Sequence, residues 1–107
     1  MTCPRDPNIA ERDLVRYRYD ILYWQFLYNM AIIASFGAQK YGDFNWQKSR
    51  LSGGNSCPNH IAEHLRSYMT RMPYDHLELG DDPKYHLVAI AFNAMMEFWY
   101  EENMPNG

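Results

Sequence analysis

Residues 21–38 read Ile21-Leu22-Tyr23-Trp24-Gln25-Phe26-Leu27-Tyr28-Asn29-Met30-Ala31-Ile32-Ile33-Ala34-Ser35-Phe36-Gly37-Ala38. The stretch carries no charge, and at about 100° per residue its apolar side chains cover nearly the whole circumference of a helix. A helix of that kind is buried or packs on a partner subunit. Gly37 opens its exit, and Gly42 is expected at positive φ, the backbone state that glycine adopts without a Cβ penalty.

Outward from this stretch the signals are helical or irregular. Pro4 and Pro7 punctuate an arm over residues 1–17, and a helix can begin after Asn8 over residues 9–20. Residues 40–57 show neither a helical nor a strand period, and Gly53-Gly54-Asn55-Ser56 is turn chemistry. Pro58 suits the first turn of a second helix, with Ser56 or Cys57 as its cap. That helix is expected to run to Arg71, where Met72-Pro73 stops it. Residues 72–82 form an acidic connector, and Asp82-Pro83 repeats the cap-plus-proline signal. The third helix then spans Lys84 to Glu102, with residues 103–107 as a tail. The class is all-α: a single domain of three main helices over residues 1–107, with a long loop between helices 1 and 2. Helices 1 and 3 form the apolar pair, and the domain is expected to assemble through subunit packing.

Composition excludes several classes. The chain has 107 residues, 47% hydrophobic, 16% aromatic and 21% charged. This is one domain, too apolar to be intrinsically disordered. No run of about 18 apolar residues lacks polar breaks, so no membrane span is expected. The first residues lack an apolar signal-peptide core. Two cysteines, Cys3 and Cys57, fit a reduced cytoplasmic setting better than a disulfide scaffold. Residues 1–71 sum to +3 and residues 72–107 to -6, for a net charge of -3. Duplex nucleic acid, which needs many phosphate contacts, is not an expected partner. A local basic patch still leaves room for one small anionic ligand.

Each helix carries a narrow polar line. His86, Asn93 and Glu97 fall within roughly 20° of one another on helix 3. His60, His64, Ser67 and Arg71 make a comparable line on helix 2, and Gln25 and Asn29 sit one turn apart on helix 1. Each line is either the solvent face of its helix or, if the three converge, the wall of a polar ligand site. His60-Ile61-Ala62-Glu63-His64 also matches H-x-x-E-H, an inverted zinc-protease pattern. Zinc proteolysis needs a third ligand and a substrate scaffold for which 107 residues leave little room.

The loop is richer. Lys40-Tyr41-Gly42-Asp43-Phe44-Asn45-Trp46-Gln47-Lys48 packs two cations and three aromatics into nine residues. Lysine is a point charge for phosphate. Aromatic faces stack on bases, and asparagine pairs with an adenine edge or a ribose hydroxyl. Arg50, Gly53 and Gly54 add a cation and exposed backbone N–H groups. The alternative is a loop pinned to the core by Phe44 and Trp46.

Gly37-Ala38-Gln39-Lys40-Tyr41-Gly42-Asp43-Phe44-Asn45-Trp46 resembles the G-A-x-K-Y-G-x-x-N-W signature of phage dATP/dGTP diphosphohydrolase-like proteins, relatives of the MazG-like all-α nucleotide pyrophosphohydrolases. Arg18-Tyr19-Asp20-Ile21-Leu22, Asn59-His60-Ile61-Ala62-Glu63-His64-Leu65 and His86-Leu87-Val88-Ala89-Ile90-Ala91-Phe92-Asn93-Ala94 extend the resemblance over roughly residues 18–100. It implies a homo-oligomeric helical protein that splits a dNTP into dNMP and pyrophosphate, with carboxylate-held Mg²⁺ or Mn²⁺. Lys40, Lys48 and Arg66 are then expected on phosphates and Asn45 and Trp46 on base or sugar, with Tyr41, His60 and Asn93 also at the nucleotide. Glu63, Asp82 and Glu97 are the expected metal ligands, and His64 or His86 the proton carrier. The sequence departs from the family where that chemistry sits. Residues 21–38 hold no Asp or Glu, Tyr28 and Asn29 standing where relatives show an acidic residue, and helix 3 offers Asn93 and Glu97 in place of a paired Glu and Asp. A second reading follows: a catalytically inert phage protein on the same fold that sequesters a nucleotide or cyclic nucleotide.

Overall fold

The computed structural model describes residues 16–75 and 79–105. Cys3, most of the expected arm and residues 9–15 of the expected first helix lie outside the described residues. Among the described residues all regular structure is helical: α1 (Trp24–Tyr41), α2 (Cys57–Met69) and α3 (Tyr85–Asn103). Single 3₁₀ turns stand at Tyr19–Ile21, Asn45–Lys48 and Gly53–Asn55. The long loop is thus present as expected, tightened by two of these turns.

The helix ends follow local chemistry. Gly42 ends α1 at φ 97° and ψ 157°, and its N–H donates to the Ala38 carbonyl at 2.7 Å. That backbone region is essentially open to glycine alone. α1 begins and ends three residues later than its apolar run, because Tyr19–Ile21 is taken by the 3₁₀ turn. Ser56 caps α2, its side chain accepting from the Asn59 N–H, with Pro58 in the first turn. α2 stops at Met69, before the expected Arg71. Arg71 takes a left-handed conformation at φ 59°, Met72 N–H donates to the Ser67 carbonyl (2.8 Å) and Arg71 N–H to the Tyr68 carbonyl (3.1 Å). This is a Schellman stop with arginine in the usual glycine position. At the start of α3 the Asp82 carboxylate accepts from the Lys84 N–H at 2.9 Å.

α3 is the spine. Val88, Ala89 and Tyr100 on it, with Cys57 and Tyr74, form the buried apolar core, and His86 is buried among them. α2 packs more extensively on α3 than α1 does, although α1 and α3 are the most apolar pair. α1 contributes no buried residue. Trp24 and Tyr28 are 59% and 61% exposed, and Phe36 is 51% exposed. Among the described residues no helix is long and apolar enough to cross a membrane.

Candidate functional site

Two cavities share the wall made by the loop. The larger, about 690 Å³, lies between the loop, α2 and α3. The loop contributes Tyr41, Asn45, Trp46 and Lys48; α2 contributes His60 and His64; α3 contributes Asn93 and Tyr100. The second, about 480 Å³, lies between the C-terminal half of α1, the loop and α3, and is walled by Ala34, Ala38, Phe44 and Phe92. Tyr41, Asn45, Trp46 and Met96 border both.

Residues of two of the three polar lines, those of α2 and α3, meet at the larger cavity; the expectation that all three converge is not met. His60 and His64 reach the larger cavity from α2 and Asn93 reaches it from α3, with the Asn93 amide held by donation to the Ala89 carbonyl at 2.9 Å. The α1 line does not join them. Gln25 donates to Asn29 at 3.5 Å, and both border a separate cavity of about 270 Å³ beside Lys84 and Tyr85.

The loop is held in place by long-range contacts. The Tyr100 hydroxyl donates to the Trp46 carbonyl, and the Trp46 ring meets Trp99 edge-on at 5.5 Å and Tyr100 at 6.0 Å. Arg50 Nη1 donates to the Met104 carbonyl at 2.9 Å, and Nη2 to Glu97 at 2.8 Å with Glu101 at 3.5 Å. The hydrogen bond to Glu97 and the two negative charges raise the Arg50 pKa further above its ordinary value. Trp46 thus serves both readings of the loop, as anchor and as cavity wall. Phe44 does not anchor: it is exposed and sits in a left-handed conformation at φ 55°.

His64 and His86 pair through their Nδ1 atoms at 2.9 Å, and His86 Nε2 lies 3.0 Å from the Met72 carbonyl. A carbonyl only accepts, so His86 Nε2 carries a proton. In neutral His86 the Nδ1 atom is then the lone-pair nitrogen, and His64 Nδ1 is the donor. Of the two expected proton carriers, His64 lines the cavity and His86 stands behind it, orienting it. Burial also pushes the Cys57 thiol and the Tyr100 phenol above their ordinary pKa values, so both stay neutral.

The expected metal ligands are not brought together. Glu97 is committed to Arg50, and Glu63 on the exposed side of α2 accepts from Asn59 at 3.1 Å. Asp82 stands two residues before Lys84, the N-cap of α3, and accepts from its N–H; twelve residues at 1.5 Å each separate Tyr85 from Glu97, about 18 Å along the axis. Among the described residues no group of three or more His, Cys, Asp and Glu is placed to hold a metal ion, and no carboxylate lines the larger cavity. The described residues alone therefore assemble no donor set for a divalent cation. Lys40, its ammonium 5.7 Å from the Tyr41 ring centroid, and Arg66 also stand outside both cavity walls. Among the lining residues the sequence reading did not single out are Leu51, Met96 and the buried Cys57 and Tyr100.

No curated protein and no solved structure matches the chain. The family model for dATP/dGTP diphosphohydrolase, N-terminal, matches residues 8–106. The match takes in the loop and both cavity-lining helices, and on it the chain belongs to the dATP/dGTP diphosphohydrolase N-terminal family.

Proposed function

We propose that the chain binds a purine deoxynucleotide in the larger cavity and holds it without hydrolysing it. The observation that carries this reading is the composition of the wall. Six residues expected to bind nucleotide, Tyr41, Asn45, Trp46, Lys48, His60 and Asn93, border one space with His64, and no carboxylate borders it. Lys48 supplies a cationic donor and His60 an imidazole N–H for phosphate oxygens, while His64, whose Nδ1 N–H donates to His86, turns Nε2 as an acceptor to the cavity. Tyr41 and Trp46 supply flat apolar faces for a base, and Asn45 and Asn93 supply amides for a base edge or a sugar hydroxyl. Phosphoryl transfer in this family would need a divalent cation to neutralise the triphosphate, and the three carboxylates expected to hold it face Arg50, Asn59 and the Lys84 N–H instead. The reading includes a homo-oligomer, for which the uncovered face of α1 is available.

Family membership favours a second reading, hydrolysis of dATP or dGTP to the monophosphate and pyrophosphate with Mg²⁺ or Mn²⁺. Incubation with each dNTP and either metal separates the two. The proposal expects quenching of Trp46 fluorescence with no pyrophosphate above the protein-free control. Pyrophosphate released over many turnovers would replace the binder with the hydrolase.

A further inference from the structure

We infer that the cavity between the first turns of α1 and α3 is a second ligand site, one that takes a nucleoside monophosphate. The observation is a cluster of polar side chains that the larger cavity leaves unused. α1 carries no charge between Trp24 and Gln39, and the amides of its first turns are Gln25 and Asn29. The two stand about 40° apart on the helix, with Phe26 completing an arc of about 100°. All three border the cavity of about 270 Å³. From the other side comes Lys84, the single Lys or Arg of residues 72–107, a stretch with seven Asp and Glu. Among the described residues the Lys84 ammonium forms no ion pair; it lies 5.3 Å from the Tyr85 ring centroid. No carboxylate borders this cavity. The one cation of the acidic half thus stands beside the one amide pair of the uncharged helix.

The chemistry of the lining sets the ligand class. Gln25 Nε2 donates to Asn29 Oδ1 at 3.5 Å, a long bond. It leaves the Gln25 carbonyl oxygen as an acceptor and the Asn29 amino group as a donor, one helical turn apart. A nucleobase edge offers the complement, an N–H beside a ring nitrogen or a carbonyl. Tyr23, Phe26 and Tyr85 supply flat walls for the base, and Leu87 and Val88 complete an apolar lining. Lys84 is one point charge for phosphate. A single cation, in less than half the volume of the larger cavity, suits one phosphate rather than three. No lining residue is shared with the two cavities at the loop, so this site goes beyond the function proposed above and does not rest on it.

Methyl resonances tell the two sites apart. Leu87 and Val88 border this cavity, and Leu51 and Met96 border the larger one. Titration of the methyl-labelled protein with dAMP and with dGMP in EDTA should shift Leu87 and Val88 saturably for at least one of them. Lys84→Ala and Asn29→Leu should each weaken that response at least tenfold. Deoxyadenosine, deoxyguanosine and inorganic phosphate each carry one half of the ligand and should bind at least tenfold more weakly than the monophosphate. No saturable shift at Leu87 and Val88 with either monophosphate would overturn the inference, whatever Leu51 and Met96 report about the larger cavity. So would a response that both folded variants retain in full, or a nucleoside or inorganic phosphate that binds as tightly as the monophosphate. If Asn29→Leu fails to fold, Lys84→Ala and Lys84→Gln decide, since the Lys84 side chain is exposed.

Discussion

The Tyr100 hydroxyl is a single-oxygen link between the spine of the fold and the wall of the site. Tyr100→Phe removes its donation to the Trp46 carbonyl and keeps the ring, and with it the edge-on contacts to Trp46 and Trp99. The loss is then one hydrogen bond in a buried setting, about 0.5–1.5 kcal/mol, against about 3–5 kcal/mol for removing the whole side chain. For a domain of this size each kcal/mol moves the midpoint by roughly 4–8 °C, so a fall of about 2–12 °C is expected. Thermal unfolding followed at 222 nm measures it. Near-ultraviolet circular dichroism at 20–25 °C reports the Trp46–Trp99–Tyr100 cluster directly and should weaken while the far-ultraviolet signal holds. Tyr100→Phe should also weaken nucleotide binding several-fold, because Trp46 and Asn45 lose their fixed position. A variant as stable as wild type, with an unchanged near-ultraviolet spectrum, would refute the claim that this bond holds the loop.

Gly42→Ala forces a Cβ into a backbone region reserved for glycine, with no neighbouring atom within 4 Å of the added carbon. The cost is pure backbone strain, about 1–3 kcal/mol by chemical denaturation, and a neutral result would contradict the φ of 97°. Ser56→Ala removes the α2 cap and should cost about 1 kcal/mol, with Ser56→Asp retaining most of the stability. Cys57 should react with iodoacetamide at pH 8 far more slowly than glutathione and reach the free-thiol rate in denaturant, since burial keeps its thiol protonated. The raised pKa values of Cys57 and Tyr100 also set a pH trend. The fold favours their neutral forms, so this contribution is full below the unfolded-state values and fades as pH rises through the folded ones. Stability measured by urea titration should therefore fall from about pH 8.5 upward; a rise over that range would reverse the assignment.

Much of this fold is written locally. Ser56 with Pro58, Asp82 with Pro83, and Gly42 after the apolar run each act within a few residues of themselves, and each stands where the sequence places it. Arg71 is the exception at this range: a left-handed arginine carries no sequence signal, and α2 ends two residues early for it. The candidate site was legible in its residue types and not in its pairings. Lys48, His60, His64 and Asn93 were recognisable as polar breaks on apolar elements, and they share one cavity. Glu97 reads the same from sequence whether a metal or a guanidinium answers it, and its partner Arg50 lies 47 residues away. Tyr100 and Trp46 are 54 residues apart, so no periodicity announces that the loop is tied to the end of α3. The His64–His86 pair, 22 residues apart, likewise turns two candidate proton carriers into one cavity residue and one orienting residue.

The central claim is that the cavity takes a nucleotide by itself, without a metal. Calorimetric titration of the protein with dATP and with dGTP in the presence of EDTA tests it most directly. The account predicts saturable binding of at least one of them in EDTA, weakened at least tenfold by Lys48→Ala or Trp46→Ala, with the variants' far-ultraviolet spectra unchanged. No binding of either nucleotide in EDTA, or binding that both folded variants retain in full, would contradict it.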